Sequence, residues 1–152
     1  MTDVKVVQPG QGDSMPFLDG SVMSFLVRGE DTKQAISFWE FTLPGGAQGP
    51  PAHRHNGHDE VFYIVEGELM VHTGGEPLAA PKGAMVIVPR GAEHTFWNAQ
   101  DEVTRMVGVF APSRFEHYFE ELAREIDKHR GERVAPSVIA NLYAKYDSEL
   151  LI

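Results

Sequence analysis

Short runs of alternating apolar and polar residues fill most of this chain, and a period of two predicts strands. Val22 to Arg28 and Ala35 to Thr42 are rich in Val, Ile, Phe and Trp, with Gly29-Glu30-Asp31-Thr32 as the hairpin connection between them. Glu60 to Val65 and Glu68 to Thr73 flank Gly67, a turn residue. Leu78 to Ala80, Met85 to Val88, His94 to Trp97 and Val103 to Phe110 follow at short intervals, separated by Gly and Pro turns. Ahead of them, the apolar run Val4 to Val7 gives way to Pro9-Gly10 and Asp19-Gly20, which read as loop. Strands of this length and punctuation predict an all-β sandwich or barrel over residues 1–112.

At Ser113 the period changes. Phe115, Tyr118, Phe119, Leu122 and Ile126 fall on one face at helical spacing. Ser113 with Glu116 reads as a capping box, and Gly131, after Lys128, His129 and Arg130, as the helix stop. A second helix is expected from Pro136 or Ser137 to Tyr146, so residues 113–152 read as a helical extension of the same domain. The largely acidic exposed face of the first helix argues against a DNA-binding helix-turn-helix.

Composition narrows the chemistry. With 152 residues the chain is expected to be one domain with a sizeable core. A net charge of −9 disfavours nucleic acid and anionic membrane surfaces as partners. The absence of cysteine rules out disulfides and thiolate metal sites, leaving His and carboxylate as ligands. Met1 to Lys5 shows neither the basic region nor the apolar core of a signal peptide, so a cytoplasmic protein is expected.

Two blocks carry that ligand chemistry. The first runs from Pro50-Pro51 through His53-Arg54-His55 and Asn56-Gly57-His58-Asp59-Glu60 to Gly67. The second runs from Gly83 through Pro89-Arg90-Gly91 to His94 and Asn98. Residues i and i+2 of a strand share a face about 6.6 Å apart, so His53 and His55 can approach one ion. Glu60 shares its face with Phe62 and Ile64, where an unpaired carboxylate is costly and a cation removes the cost. Asp59 competes with Glu60 for this role. His94 can enter from a neighbouring strand, and three imidazoles with one carboxylate suit a divalent first-row transition metal. His58 reads as a solvent-facing loop residue, and Asn98 as a structural amide holding the loop after its strand.

The spacings His-x-His-x4-Glu-x6-Gly and Gly-x5-Pro-x-Gly-x2-His-x3-Asn resemble the paired motifs of the cupin superfamily. The second block matches at Gly83, Pro89, Gly91, His94 and Asn98, and the first at His53, His55, Glu60 and Gly67. The first motif's leading Gly is out of register, with Ala47 at that place and Gly46 and Gly49 either side. The entry strands, the Pro-rich approach and the helix from Phe115 to Leu122 are similar to those of small single-domain cupins of the quercetin-dioxygenase-like group. That resemblance implies a jelly-roll β-barrel, often a homodimer, and one divalent metal (Fe, Mn, Ni, Co, Cu or Zn) held by His53, His55, Glu60 and His94.

The ligand set and the resemblance together imply a metal-dependent dioxygenase acting on a small enol, diketone or flavonol-like substrate, with Glu60 as the proton acceptor. Phe62, Phe96 and Met106 are candidates for the substrate pocket. Two alternatives stand beside it: isomerase, cyclase or lyase chemistry on the same metal without oxygen, and a non-catalytic small-molecule binder.

Overall fold

A computed structural model describes residues 3–130 and 132–151. Gly131, the expected helix stop, and Met1 and Thr2 of the N-terminal reading lie outside the described residues. In chain order the strands are β1 (Asp13–Pro16), β2 (Val22–Val27), β3 (Ser37–Leu43), β4 (His53–His55), β5 (Asp59–Glu66), β6 (Glu68–His72), β7 (Leu78–Pro81), β8 (Met85–Val88), β9 (Thr95–Trp97) and β10 (Thr104–Ala111). Helices α1 (Glu116–Lys128) and α2 (Pro136–Lys145) come next, and then a short strand, β11 (Ser148–Leu150). No helix among the described residues is long and apolar enough to cross a membrane.

All the strand pairings are antiparallel. One sheet runs β1-β2-β3-β10-β5-β8, a second β7-β6-β9, and β11 pairs with β4. Alternation does the sorting: in β3 and β10 every second residue is buried, and in β5 Glu60, Phe62 and Ile64 turn inward while Tyr63 faces out. The inward faces meet in one aromatic core, where Phe96 of β9 packs on Phe62 and Phe41 with ring centroids 5.7 and 6.1 Å apart. The result is the jelly-roll barrel expected from the sequence, with two helices near its C-terminal end.

Three local readings are corrected. Asp13–Pro16, read as loop, is an edge strand paired with β2. β11 closes the chain where no strand was expected, because its pairing is made with β4, far away in sequence. The capping box at α1 does not form: Phe115 holds the N-cap position. Ser113 Oγ instead donates to Gln34 Oε1 at 2.9 Å, while the buried Glu116 carboxylate accepts from the Gly29 and Arg114 amides at 2.9 and 2.8 Å. Those bonds tie α1 to the turn between β2 and β3, and that long-range demand overrides the local cap.

Glycine matters most at two turns. Gly49 has φ +66°, and a Cβ there would lie 1.9 Å from the Phe96 carbonyl oxygen, so only glycine lets the chain pass β9 on its way into β4. Gly91, at φ +85°, turns the chain toward His94, and its amide donates to the His55 carbonyl at 2.6 Å.

Asn98 acts as the sequence suggests. Its amide nitrogen donates to the carbonyls of Leu43, Pro44 and Glu102 at 3.1, 3.0 and 2.8 Å, and its oxygen accepts from the Gln100 amide at 2.9 Å. Asn98→Ala strands these groups in a buried loop, and is expected to lower the unfolding free energy by about 2–3 kcal/mol. Urea titration measures this; a loss below about 0.5 kcal/mol would contradict the role given to the amide.

Candidate metal centre

β4 sets the geometry. His53 and His94 stand directly opposite one another and exchange both backbone hydrogen bonds, at 3.0 and 2.9 Å, forming an isolated antiparallel bridge. Side chains of a directly opposed pair leave on the same face, so the two imidazoles meet, with ring centroids 4.2 Å apart. His55, two residues along β4, shares that face, and one ligand atom from each of His53, His55 and His94 lies within 4.8 Å of the others.

Glu60 enters from β5. Its Oε2 is 3.3 Å from His94 Nε2 and 3.5 Å from His55 Nε2, and all four side chains are buried. Asp59, one residue earlier, turns outward and pairs with Arg90, with 3.1 Å between Oδ1 and Nε. Period two thus separates the competing carboxylates: one joins the imidazoles and the other makes a surface ion pair that holds it down at a pKa of about 2.

Each imidazole has its Nδ1 occupied. His53 Nδ1 lies 2.7 Å from the Pro51 carbonyl and His94 Nδ1 lies 3.1 Å from that of Ala92. His55 Nδ1 lies 2.7 Å from Ser148 Oγ, whose own proton goes to the Tyr146 carbonyl at 3.2 Å. A carbonyl accepts only, so His53 and His94 carry their protons on Nδ1 and present Nε2 lone pairs to the interior. His94 Nε2 and Glu60 Oε2 are moreover buried without a hydrogen bond. Orphaned lone pairs aimed at a common point fit a cation, and the donor set of three imidazole nitrogens and a carboxylate oxygen suits a divalent transition metal.

The electrostatics match. Burial pushes the Glu60 carboxyl up, but His55 and His94 outweigh it and hold the group below its ordinary range. Burial likewise disfavours a charged His94, and Glu60 more than compensates, raising that imidazole. Burial, reinforced by the neighbouring imidazoles His94 and His55, depresses His53 to about 3.

His58 is not the solvent-facing residue expected from the sequence. It is buried, its ring 4.3 Å from His55 and 5.0 Å from both Phe110 and Phe115, and burial, then the neighbouring His55, lowers its pKa to about 3. The aromatic groups that cover it come from β10 and the start of α1, beyond the reach of a local reading.

Beside the cluster lies a cavity of about 650 Å³, lined by His53, His55 and Glu60 and by the rings of Trp39, Phe41, Phe96 and Phe110. α1 adds Tyr118, Phe119 and Leu122, and α2 adds Ile139 and Tyr143. Of the three pocket candidates, Phe96 lines this cavity; Phe62 and Met106 lie in the buried core outside its lining. Strand alternation puts all three inside but cannot say on which side of the core a ring ends. Tyr118 and Tyr143 were missed: their rings sit 4.8 Å apart, Tyr143 is 5.4 Å from His53, and burial raises the pKa of both phenols. Helical spacing marks both as buried without saying what they face.

Residues 39–110 match the family model described as Cupin domain. The quercetin 2,3-dioxygenase of Bacillus subtilis is 27% identical over 129 residues, which is 82% of this chain and 36% of that protein. A second curated relative, from Hypocrea virens, is 31% identical over 72% of this chain, and the chain spans 53% of its length. Among solved structures, KdgF from a Halomonas species is similar with a TM-score of 0.64 and 18% identity, covering 74% of this chain and 99% of that one. The polyketide cyclase RemF from Streptomyces resistomycificus is similar at a TM-score of 0.63 and 19% identity, covering 74% of this chain and 82% of that one.

His53 and His58 have folded pKa values near 3 against an ordinary 6.5, so the unfolded chain binds more protons between those values. Stability of metal-free protein is therefore expected to fall, by up to several kcal/mol, as pH drops from about 6.5 toward 3. His94 has the opposite sign: its contribution is full below its ordinary pKa and fades as pH rises through the raised one. Thermal melts of chelator-treated protein from pH 4 to 8 should show the acid loss, with His58→Phe flattening it; a melting temperature that holds level or climbs toward pH 4 contradicts the assignment.

Proposed function

The chain belongs to the cupin superfamily, and on that premise we propose that it is a metal-dependent dioxygenase acting on a small enol, diketone or flavonol-like substrate. The observation that supports this reading is the meeting of His53, His55, His94 and Glu60 at the wall of an aromatic cavity. In the proposal those four residues hold one divalent transition metal. When bound, the metal supplies a Lewis-acid centre that favours an enolate over its enol, together with open coordination positions.

The protein's own groups do the rest. Glu60, whose carboxyl is held in its ionised form, accepts the enol proton or a hydrogen bond from it. Phe96, Phe110 and Trp39 offer flat apolar walls that fit a ring system and exclude water from the reacting end. Tyr118 and Tyr143 stay protonated well past neutral pH, so their hydroxyls can donate to substrate oxygens. The relative named as a quercetin 2,3-dioxygenase supports the oxygen chemistry, although this chain spans 36% of its length. The exposed Tyr63, Met85 and Ile87 on the outer face of β5 and β8 support the expected homodimer.

Protein loaded in turn with iron, manganese, nickel, cobalt and copper is expected to consume oxygen with flavonols or simple diketones at least about tenfold faster than its His94→Ala variant. An oxygen electrode measures the rate. Turnover that persists without oxygen, or in the zinc form, would overturn the oxygenase reading. Elemental analysis should find about one metal per chain, and none in His94→Ala, whose circular dichroism should keep its β signature.

A further inference from the structure

We infer that Ser148 is a positioning residue of the metal centre, and that β11, which carries it, is a working part of that centre, so metal binding and docking of the C-terminal segment are linked. The inference rests on the metal-centre reading and goes beyond its four ligands.

His53 and His94 take their Nδ1 acceptors from carbonyls two residues away in their own segments, at Pro51 and Ala92. His55 has none there. Its Nδ1 is 2.7 Å from the Ser148 hydroxyl, which lies 93 positions along the chain and is buried. A hydroxyl can donate or accept, and would ordinarily leave the tautomer open. Here its proton is committed to the Tyr146 carbonyl at 3.2 Å, so the oxygen is left to accept from His55 Nδ1–H. The chain Nδ1–H to Ser148 Oγ to Tyr146 oxygen thus sets the His55 tautomer, fixes its ring, and turns the Nε2 lone pair toward Glu60, 3.5 Å away.

β11 is built for the task. Ser148 pairs with His55 and Leu150 with His53, so the strand lies along both ligands of β4. The Asn56 amide donates to the Asp147 carbonyl at 2.7 Å and the Leu151 amide to that of Ala52 at 2.8 Å, extending the ladder at both ends. On the other edge of β4 stands His94. The ligand strand is therefore held between the third imidazole and the C-terminal segment. The same segment carries Tyr143, which lines the cavity 5.4 Å from His53. Because both the ligand geometry and the cavity wall need β11 docked, whatever favours one favours the other, with equal coupling in both directions.

The test uses the full chain and zinc(II) alone, read by competition with a chromogenic chelator. Ser148→Ala is expected to weaken zinc binding by about 10–100-fold, with a metal-free melting temperature within about 5 °C of the original. Ser148→Thr, which keeps the hydroxyl, is expected to stay within about threefold. Hydrogen exchange supplies a readout that needs no variant: zinc should slow exchange of the amides in residues 146–151. Affinity unchanged in Ser148→Ala, equal losses in the Ala and Thr variants, or exchange in β11 indifferent to zinc would each overturn the inference. Folded original protein that binds no zinc or other divalent metal would overturn the metal-centre reading itself, a different result from zinc binding that ignores Ser148.

Discussion

A carboxylate sealed inside a β-barrel has to be compensated, and Glu60 is the residue on which that requirement falls here. It sits on a strand whose other inward residues, Phe62 and Ile64, are apolar, and among the described residues its ion-pair partners are His55 and His94. The same imidazoles have their Nδ1 atoms committed to Ser148 and the Ala92 carbonyl. What remains is a convergence of lone pairs on one side and a negative charge on the other. A cation satisfies all of them together, which no arrangement of neutral hydrogen bonds among these groups does.

The fold serves that convergence from several directions. The bridge between His53 and His94 joins two segments that no hairpin connects, and Gly49 and Gly91 supply the backbone turns that bring them side by side. The Asn98 amide gathers the carbonyls of a loop from β3 and one leading into β10, steadying the strand that follows His94. From the far end of the chain, β11 braces β4 along the edge that His94 leaves free. Each of these devices limits how far a metal-ligating side chain can stray.

The cavity has a divided origin. Its floor, with the histidines and the aromatic rings of β3, β9 and β10, belongs to the barrel, and one wall belongs to α1 and α2. Glu116, at the start of α1, anchors that wall by binding the Gly29 amide beneath it. An aromatic chamber with polar groups at one end suits a molecule that is flat over most of its length and carries oxygens at its tip. The tyrosine pair and the imidazole cluster stand at that same end, so in the proposed reading recognition and chemistry share one region.

Strand alternation and ligand spacing were legible without a structure, because both depend on local periodicity: a residue two places along a strand must face the same way. That is why β5, β8, the inward turn of Glu60 and the shared face of His53 and His55 could be read, whereas the place of His94 beside them was implied only by the resemblance of the paired motifs. Helical spacing likewise marked α1 and α2, although the cap at Ser113 yielded to bonds made with Gln34 and Gly29. The burial of His58, the pairing of β1 and β11, the hydroxyl of Ser148 behind His55, and the choice of Phe96 over Phe62 for the cavity wall were decided only by tertiary structure. Each depends on segments tens of residues apart coming into contact, and period and composition carry no record of which surfaces will meet.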